Sequence, residues 1–116
     1  CCNIRKVIPL KKELRNYQAW ISGRKSYQKG ERKFLKIFEF LNQKVVVNPL
    51  ASVKKSFVDS YFDFHNINKH PLFIKGYLSI GCINCTEKSS NANDPRSGRW
   101  TNNIKTECGI HYSSKK

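Results

Sequence analysis

Residues 34–48 read FLKIFEFLNQKVVVN and contain the clearest β-strand pattern in the chain. Residues 34–40 and 44–48 are rich in the aromatic and β-branched side chains that favour strands. Leu41–Gln43 lie between them at the spacing of a hairpin loop, and Pro49 ends the second strand. This stretch therefore predicts a short β-hairpin.

A helix is predicted on each side of this hairpin. Residues 9–21 begin at Pro9, which suits the first turn of a helix, and their apolar residues recur on one face. Residues 51–65 carry an apolar stripe opposite polar positions, so we expect this helix to pack against the core. Residues 66–116 are rich in Asn, Gly, Ser, Pro and Cys and predict loops and short helical turns. The fold class expected is α/β.

Size and charge limit the possible functions. The 116 residues suffice for one small domain, and the net charge of +14 favours anionic partners, although it is equally compatible with a solvated basic surface. No apolar stretch approaches the roughly 20 residues of a membrane span, so a cytoplasmic protein is expected. The chain contains no methionine and begins at Cys1. We therefore expect a fragment whose apolar faces pack on a half that it lacks.

The five cysteines form two pairs and one single residue. Cys82 and Cys85 have the C-x-x-C spacing that lets two thiolates reach one metal centre, and Cys1 and Cys2 are adjacent. Adjacent side chains diverge, so a [4Fe–4S] cluster, with iron atoms at separate corners, accepts such ligands more readily than one zinc ion. A zinc site, free thiols and a disulfide remain alternatives.

Cys108 is the remaining thiol, in the segment KTECGIH at 105–111. Lys105 and His111 could favour its thiolate, the nucleophilic form, but the local sequence alone slightly favours an incidental cysteine with His111 at the surface. Upstream, Arg96 and Arg99 lie three positions apart in RSGRW. Their guanidinium groups suit phosphate or sulfate oxygens, whereas the alternative is a solvated loop with Trp100 as a packing anchor.

Together these motifs resemble the 3′-phosphoadenylylsulfate (PAPS)/adenylylsulfate (APS) reductase family, on its iron–sulfur APS branch. The similar segments follow one another along nearly the whole chain: CCNIRKVIPL at 1–10, AWISGRKSYQ at 19–28, VNPLA at 47–51, HPLFIKGYLSIGCINCT at 70–86, RSGRW at 96–100 and KTECGIH at 105–111.

The resemblance implies the C-terminal part of an adenine-nucleotide α-hydrolase-like fold. Residues 1–95 would form the cluster-binding portion and residues 96–116 a mobile catalytic tail. The nucleotide-binding N-terminal half would be absent, so we expect the fragment to be inactive alone.

The resemblance also implies residue roles. Cys108 would attack the sulfur of APS, leaving a Cys S-sulfonate and releasing AMP, and thioredoxin or glutaredoxin would then free sulfite for cysteine biosynthesis. The implied cluster ligands are Cys1, Cys2, Cys82 and Cys85. The implied substrate- or tail-contacting residues are Lys6, Arg32, Arg96, Arg99 and His111.

Several alternatives and departures stay open. A PAPS reductase that retains a cluster is the alternative enzyme. A basic zinc-ribbon module that binds nucleic acid, or a cluster protein that only transfers electrons, would not need the Cys108 motif. The reductase reading expects neither nucleic acid nor membrane as a partner. Glu87 stands where the family often has a basic residue. Its negative charge would lie near the cluster and the anionic substrate, so it could change the affinity for the substrate and the electronic properties of the cluster.

Overall fold

The computed structural model describes residues 2–112. It contains two α-helices, α1 (Ile8–Glu13) and α2 (Lys55–Phe64), and three strands, β1 (Ala19–Ile21), β2 (Phe38–Leu41) and β3 (Lys44–Val47). A π-helical turn at Asn3–Val7 precedes α1, and 3₁₀ turns lie at Leu14–Asn16, Ser26–Gln28, Gly30–Phe34, Ile83–Cys85 and Gly109–His111. The predicted mixed α/β class is confirmed. In this part of the chain, no helix combines the length and apolarity that crossing a membrane requires.

The predicted hairpin is present and consists of β2 and β3. Phe38 pairs with Val47 and Leu41 with Lys44. Asn42 and Gln43 form the turn with φ values of 50° and 63°, and positive φ at both central positions matches the twist of a two-residue hairpin. The predicted start of the first strand at residue 34 is wrong, because residues 30–34 coil into a 3₁₀ turn.

The predicted helix over residues 9–21 is correct only in its first part. The α-helix ends at Glu13, a 3₁₀ turn follows, and Ala19–Ile21 form a strand instead. This strand runs parallel to β3, with Ala19 opposite Val45 and Ile21 opposite Val47. The sheet therefore has the order β1-β3-β2.

The second predicted helix is confirmed with a later start. It spans Lys55–Phe64, because residues 49–52 form a turn in which the Ala51 N–H donates to the Asn48 carbonyl at 3.0 Å. From residue 66 to 112 the chain forms turns, loops and short 3₁₀ segments, as predicted.

The two faces of the sheet differ in burial. Cross-strand partners share a face, so Ile21, Val47 and Phe38 lie on one side together with Phe40. Ile21, Phe38 and Phe40 are 73%, 67% and 76% exposed. The opposite face carries Trp20 and the fully buried Val46. Only this second face is covered by the described part of the chain, and it is the face towards the tail.

A polar network fixes the loops beside the covered face. Asn48 is fully buried, and its side-chain amide donates to the Lys36 carbonyl at 2.8 Å and to Glu39 at 2.9 Å. Arg24 pairs with Glu39 and donates to the Asn48 side-chain oxygen at 3.3 Å. Buried polar groups are stable when they are hydrogen-bonded, so this network holds the segment after β1 against the hairpin.

Candidate functional site

The C-x-x-C segment forms a tight turn. The Cys85 N–H donates to the Cys82 carbonyl at 3.0 Å across the 3₁₀ turn Ile83–Cys85. Thr86 closes the turn, since its hydroxyl donates to the Cys82 carbonyl at 2.8 Å and accepts from the Gly81 N–H at 3.0 Å. Both thiols are free and half-buried. This geometry holds the two thiols on one short turn, as metal ligation by such a pair requires.

The RSGRW segment packs directly on this turn. Thr86 forms an isolated antiparallel bridge with Arg99, and the Arg99 Nε–H donates to the Cys85 carbonyl at 3.0 Å. The guanidinium lies against Gly81, where an added Cβ would be 2.2 Å from Arg99 Nη2. A side chain at position 81 would therefore displace Arg99. The sequence thus brings one arginine to the backbone of a predicted cluster ligand.

Trp100 forms a platform for both arginines of this segment. It is 7% exposed, and the Arg99 and Arg96 guanidinium carbons lie 4.4 Å and 5.3 Å from its ring centroid. Such cation–π contacts orient a guanidinium without consuming its N–H donors. Trp100 is thus buried as a packing anchor, as the alternative interpretation of RSGRW supposed, and it contacts both arginines. The binding of anions by Arg96 and Arg99 stays a prediction.

Lys6 lies among three of the cysteines. Its ammonium hydrogen-bonds the Cys82 thiol and interacts electrostatically with Cys108 and Cys2, and these contacts raise the pKa of Lys6. In return the hydrogen bond from Lys6, helped by the charges of Lys6, Arg99 and Arg5, lowers the pKa of the Cys82 thiol. One cation thus connects a predicted ligand from each cysteine pair with the predicted nucleophile.

The tail is tied down by Glu107, which is 3% exposed. Its carboxylate accepts from Arg32 Nε at 2.5 Å and Nη2 at 2.8 Å, and from Arg96 Nη2 at 3.1 Å. The Cys108 backbone N–H donates to the same carboxylate at 2.9 Å. Burial alone would raise the pKa of Glu107, but these hydrogen bonds and charges outweigh it, and the pKa lies at about 2. Glu107 is therefore ionised at neutral pH.

His111 is half-buried against β1. Its ring stacks on Trp20 with centroids 5.7 Å apart and an interplanar angle of 10°. Burial, followed by the charge of Arg24, lowers the pKa of His111 to about 4. The imidazole is therefore neutral at pH 7 and adds no positive charge beside Cys108, contrary to the expectation that it favours the thiolate. Lys105, the other residue expected to do so, is exposed.

The predicted site residues come together on one side of the molecule in two linked groups. Lys6 connects Cys2, Cys82 and Cys108, and Glu107 connects Arg32 with Arg96. A cleft of about 320 Å³ beside Cys2 is lined by Lys11, Lys105 and Tyr112, among others. Cys1 lies outside the described residues. Among residues 2–112, no three His, Cys, Asp or Glu side chains form a group arranged to hold a metal ion.

Sequence reasoning missed two residues of this arrangement. Glu107 received no role, although an acidic residue next to the predicted nucleophile of a strongly basic chain is a recognisable signal. Trp20 lies within the predicted helix over residues 9–21, and its position against His111 depends on β1 pairing with β3. Periodicity within residues 9–21 carries no information about that long-range pairing.

Comparison with known proteins identifies the family to which this chain is related. A family model described as the phosphoadenosine phosphosulfate reductase domain matches residues 1–88. An adenosine 5'-phosphosulfate reductase of Mesorhizobium japonicum is 43% identical over 113 residues, which are 97% of this chain and 44% of that protein. The enzyme of the same name from Rhodococcus opacus is 44% identical over 115 residues, covering 97% of this chain and 47% of that protein.

The chain thus spans about half the length of the curated relatives that it matches. The family model, in contrast, covers most of the chain and includes Lys6 and both cysteine pairs. On this match, the chain belongs to the phosphoadenosine phosphosulfate reductase domain family.

Proposed function

We propose that this chain is the cysteine-bearing part of a reductase that converts APS to sulfite and AMP in the cytoplasm, within sulfate assimilation and cysteine biosynthesis. The observation that carries the proposal is the position of Lys6 among Cys2, Cys82 and Cys108. A thiol that attacks an anionic substrate requires a cation at the point of approach. The names of the relatives, which specify adenosine 5'-phosphosulfate, favour APS as the substrate.

The proposed chemistry has two steps. The Cys108 thiolate attacks the sulfur of APS, so a sulfur–sulfur bond forms, the sulfur–oxygen bond breaks, and AMP leaves with the electron pair. A thiolate of thioredoxin or glutaredoxin then attacks the Cys108 sulfur, and sulfite leaves with the electron pair of the sulfur–sulfur bond. A second thiol of the reductant resolves the mixed disulfide. Cys108 returns to the thiol form and the reductant is oxidised to its disulfide.

The remaining predicted residues have roles around this sulfur. Lys6 and Arg99 screen the negative charge that develops between thiolate and substrate. Arg96 and His111 belong to the tail and hold it near the reacting sulfur through their contacts with Glu107 and Trp20. Neutral His111 can donate one hydrogen bond and accept one. Trp100 keeps the arginines oriented, since both stack on its ring.

We further propose that Cys1, Cys2, Cys82 and Cys85 hold a [4Fe–4S] cluster. The donor chemistry of the described residues fits: three of these thiols are free and half-buried, and Lys6 favours the ligating thiolate form of Cys82. When bound, the cluster would supply an inorganic core with several iron atoms joining the two cysteine pairs. Iron and sulfide analysis with a visible absorption spectrum tests this, and zinc without iron would contradict it.

We propose that residues 1–95 form the cluster-binding portion and residues 96–116 a mobile catalytic tail, completed by an N-terminal nucleotide-binding half. The support is the uncovered apolar face of the sheet and the share of the relatives that this chain spans. Residues 1–116 alone should therefore not reduce APS, and sulfite formation by the purified chain with thioredoxin would contradict this.

The decisive test of the function is covalent. Full-length protein incubated with APS and no reductant should gain one sulfonate, about 80 Da, on Cys108, as a covalent intermediate requires. Cys108→Ser should gain none, because a serine hydroxyl without a dedicated base is a poor nucleophile, and its cluster absorption should be unchanged. An adduct on Cys82 or Cys85 would contradict the assignment. Parallel incubations with PAPS decide between the two substrates.

A further inference from the structure

One buried carboxylate holds the tail immediately before Cys108, in addition to the stacking of His111 on Trp20 just after it. Ile104 is fully exposed, and residues 101–106 are all exposed, whereas Glu107 is 3% exposed. Four hydrogen bonds converge on the Glu107 carboxylate, from Arg32, Arg96 and the Cys108 N–H. The position of the Cys108 backbone thus depends on an ion pair between residues that are far apart in the sequence.

The geometry of Arg32 is that of a structural clamp. Its Nε and Nη2 donate hydrogen bonds to the two carboxylate oxygens of Glu107, and its Nη1 donates to the Gln28 side-chain oxygen at 2.5 Å. We call the contacts of Arg32 and Arg96 with Glu107 the clamp. The two-pronged contact orients the carboxylate as well as neutralising it. All three nitrogens of Arg32 are therefore committed to protein partners while the tail is docked.

Arg96 completes the clamp from within the tail. Its Nη2 donates to Glu107 at 3.1 Å and to the Thr106 carbonyl at 3.0 Å. Both contacts lie in the two residues before Cys108, so the backbone leading to the thiol is held from two sides. The guanidinium carbon of Arg96 lies 5.3 Å from the centroid of the Trp100 ring. Within residues 2–112, Arg99 in contrast forms no hydrogen bond or ion pair with Glu107 and instead donates to the Cys85 carbonyl in the C-x-x-C turn.

We propose that Glu107 is a positioning residue for the reductase reaction: clamped by Arg32 and Arg96, it docks the tail and presents Cys108 beside Lys6. Arg32 acts in this clamp rather than as a ligand of the substrate. The inference rests on the proposed function for its catalytic consequence, but the docking itself is a property of the chain. Loss of the clamp should therefore slow the attack of Cys108 without weakening the binding of APS.

The experiment measures single-turnover S-sulfonation of full-length, iron-loaded protein at a series of APS concentrations without reductant. In Glu107→Gln the maximal rate should fall by about 10- to 100-fold, because removing one charge of a buried pair leaves the other uncompensated. The half-saturating APS concentration should change by less than about threefold, since no group that binds APS in this scheme is removed.

Two further variants sharpen the test. Glu31→Gln is the matched control, because exposed Glu31 also touches the tail, through Thr106 Oγ1 at 2.6 Å and the Tyr112 hydroxyl at 3.4 Å, but pairs with no arginine in the described contacts. Its rate should equal that of wild type. Arg32→Lys keeps the charge but loses the two-pronged grip, and it should reproduce the slow rate of Glu107→Gln.

A second measurement does not depend on APS. Hydrogen exchange of the peptide covering residues 105–112 should accelerate by about tenfold or more in both Glu107→Gln and Arg32→Lys. Glu107→Gln removes the negative charge that pairs with Arg32 and Arg96, and Arg32→Lys removes the bidentate contact that orients the acceptor of the Cys108 N–H. Glu31→Gln should exchange like wild type. Should wild type gain no sulfonate at all, the proposed function fails, and this exchange measurement still decides whether the clamp docks the tail.

The outcomes that overturn the proposal are specific. Wild-type sulfonation rates in Glu107→Gln, or an effect confined to the half-saturating concentration, would show that Glu107 does not position Cys108. If Glu107→Gln fails to incorporate iron, the maximal sulfonation rate of Arg32→Lys decides instead. A wild-type rate in Arg32→Lys would overturn the proposed clamp, and a slow rate would support it. Unchanged exchange in both variants would equally overturn it.

Discussion

His111 shows how a single residue acquires its properties from its surroundings. Three arginines, Arg24, Arg32 and Arg96, and one acid, Glu107, act on its imidazole electrostatically. Burial against Trp20 has the largest effect and lowers the pKa of the ring, because a buried ring loses the hydration that stabilises its charged form. The arginines lower the pKa further, and Glu107 opposes them. The residue is thus a neutral hydrogen-bonding group in a strongly cationic neighbourhood.

The protonation of His111 gives a prediction with a definite sign. Its folded-state pKa of about 4 lies below the ordinary value of 6.5. The unfolded chain therefore binds a proton that the folded chain does not, and stability should fall as pH decreases from about 6.5 towards 4, by at most about 3 kcal/mol and by less to the extent that solvent screens the partly exposed ring. Nuclear magnetic resonance titration of the imidazole and unfolding at several pH values measure both effects. In His111→Gln this part of the pH dependence should disappear, and a measured pKa near 6.5 would contradict the prediction.

Arg99 and Arg96 look equivalent in RSGRW, but their contacts differ. Arg96 is tied to Glu107, whereas Arg99 stacks on Trp100 beside the C-x-x-C turn. Arg99→Ala should therefore raise the half-saturating concentration of APS, by about 1–3 kcal/mol in binding free energy for a lost charge-assisted bond. Arg15→Ala, at an exposed arginine after α1, is the control. Unchanged kinetics for Arg99→Ala would make RSGRW a structural turn only.

Among the secondary-structure elements, the sequence predicted those that depend on neighbouring residues alone. The hairpin follows from the aromatic and β-branched residues on each side of the short loop predicted at residues 41–43, and α2 follows from its apolar stripe. Residues 19–21 could not be predicted in this way, because their strand exists only through pairing with residues 45–47, which lie 26 positions along the chain. The same limit applies to Glu107, whose arginine partner Arg32 lies 75 positions away.

The bridge between Thr86 and Arg99 joins the C-x-x-C turn to RSGRW, and it requires a glycine at position 98. A Cβ there would lie 2.3 Å from the Glu87 carbonyl oxygen, which is backbone and cannot rotate away. Gly98→Ala should therefore destabilise the protein by about 1–3 kcal/mol, as overpacking does. Gly23→Ala is the matched control, because nothing lies within 4 Å of an added Cβ at that position. Equal unfolding midpoints for the two variants would contradict a rigid bridge.

The whole molecule combines a basic surface with a sheet that is covered on one side. On the covered face, Trp20 of β1 stacks on His111 of the tail. The candidate site therefore lies on the side of the sheet that the described residues cover. The other face is apolar across all three strands, and sheets of α/β proteins are normally covered on both sides. The motifs in the sequence located the site, but the one-sided sheet became visible only once the strand order was known.

This uncovered face leads to the prediction that tests the proposed N-terminal half. Phe40 is 76% exposed in the described chain. It pairs with Val45 of β3, and the side chains of both residues lie on the uncovered face of the sheet. Under the proposal, the nucleotide-binding half of the full-length protein packs on Phe40, so Phe40→Ser should lower the free energy of unfolding by about 3 kcal/mol, as removal of a buried aromatic ring does. Ile104→Ser, at a fully exposed position in the tail, is the control and should change it by less than about 0.5 kcal/mol. Denaturant unfolding of the full-length variants gives both values. If Phe40→Ser is as harmless as Ile104→Ser, the apolar face of the sheet stays open to solvent, and the N-terminal half must contact this chain elsewhere.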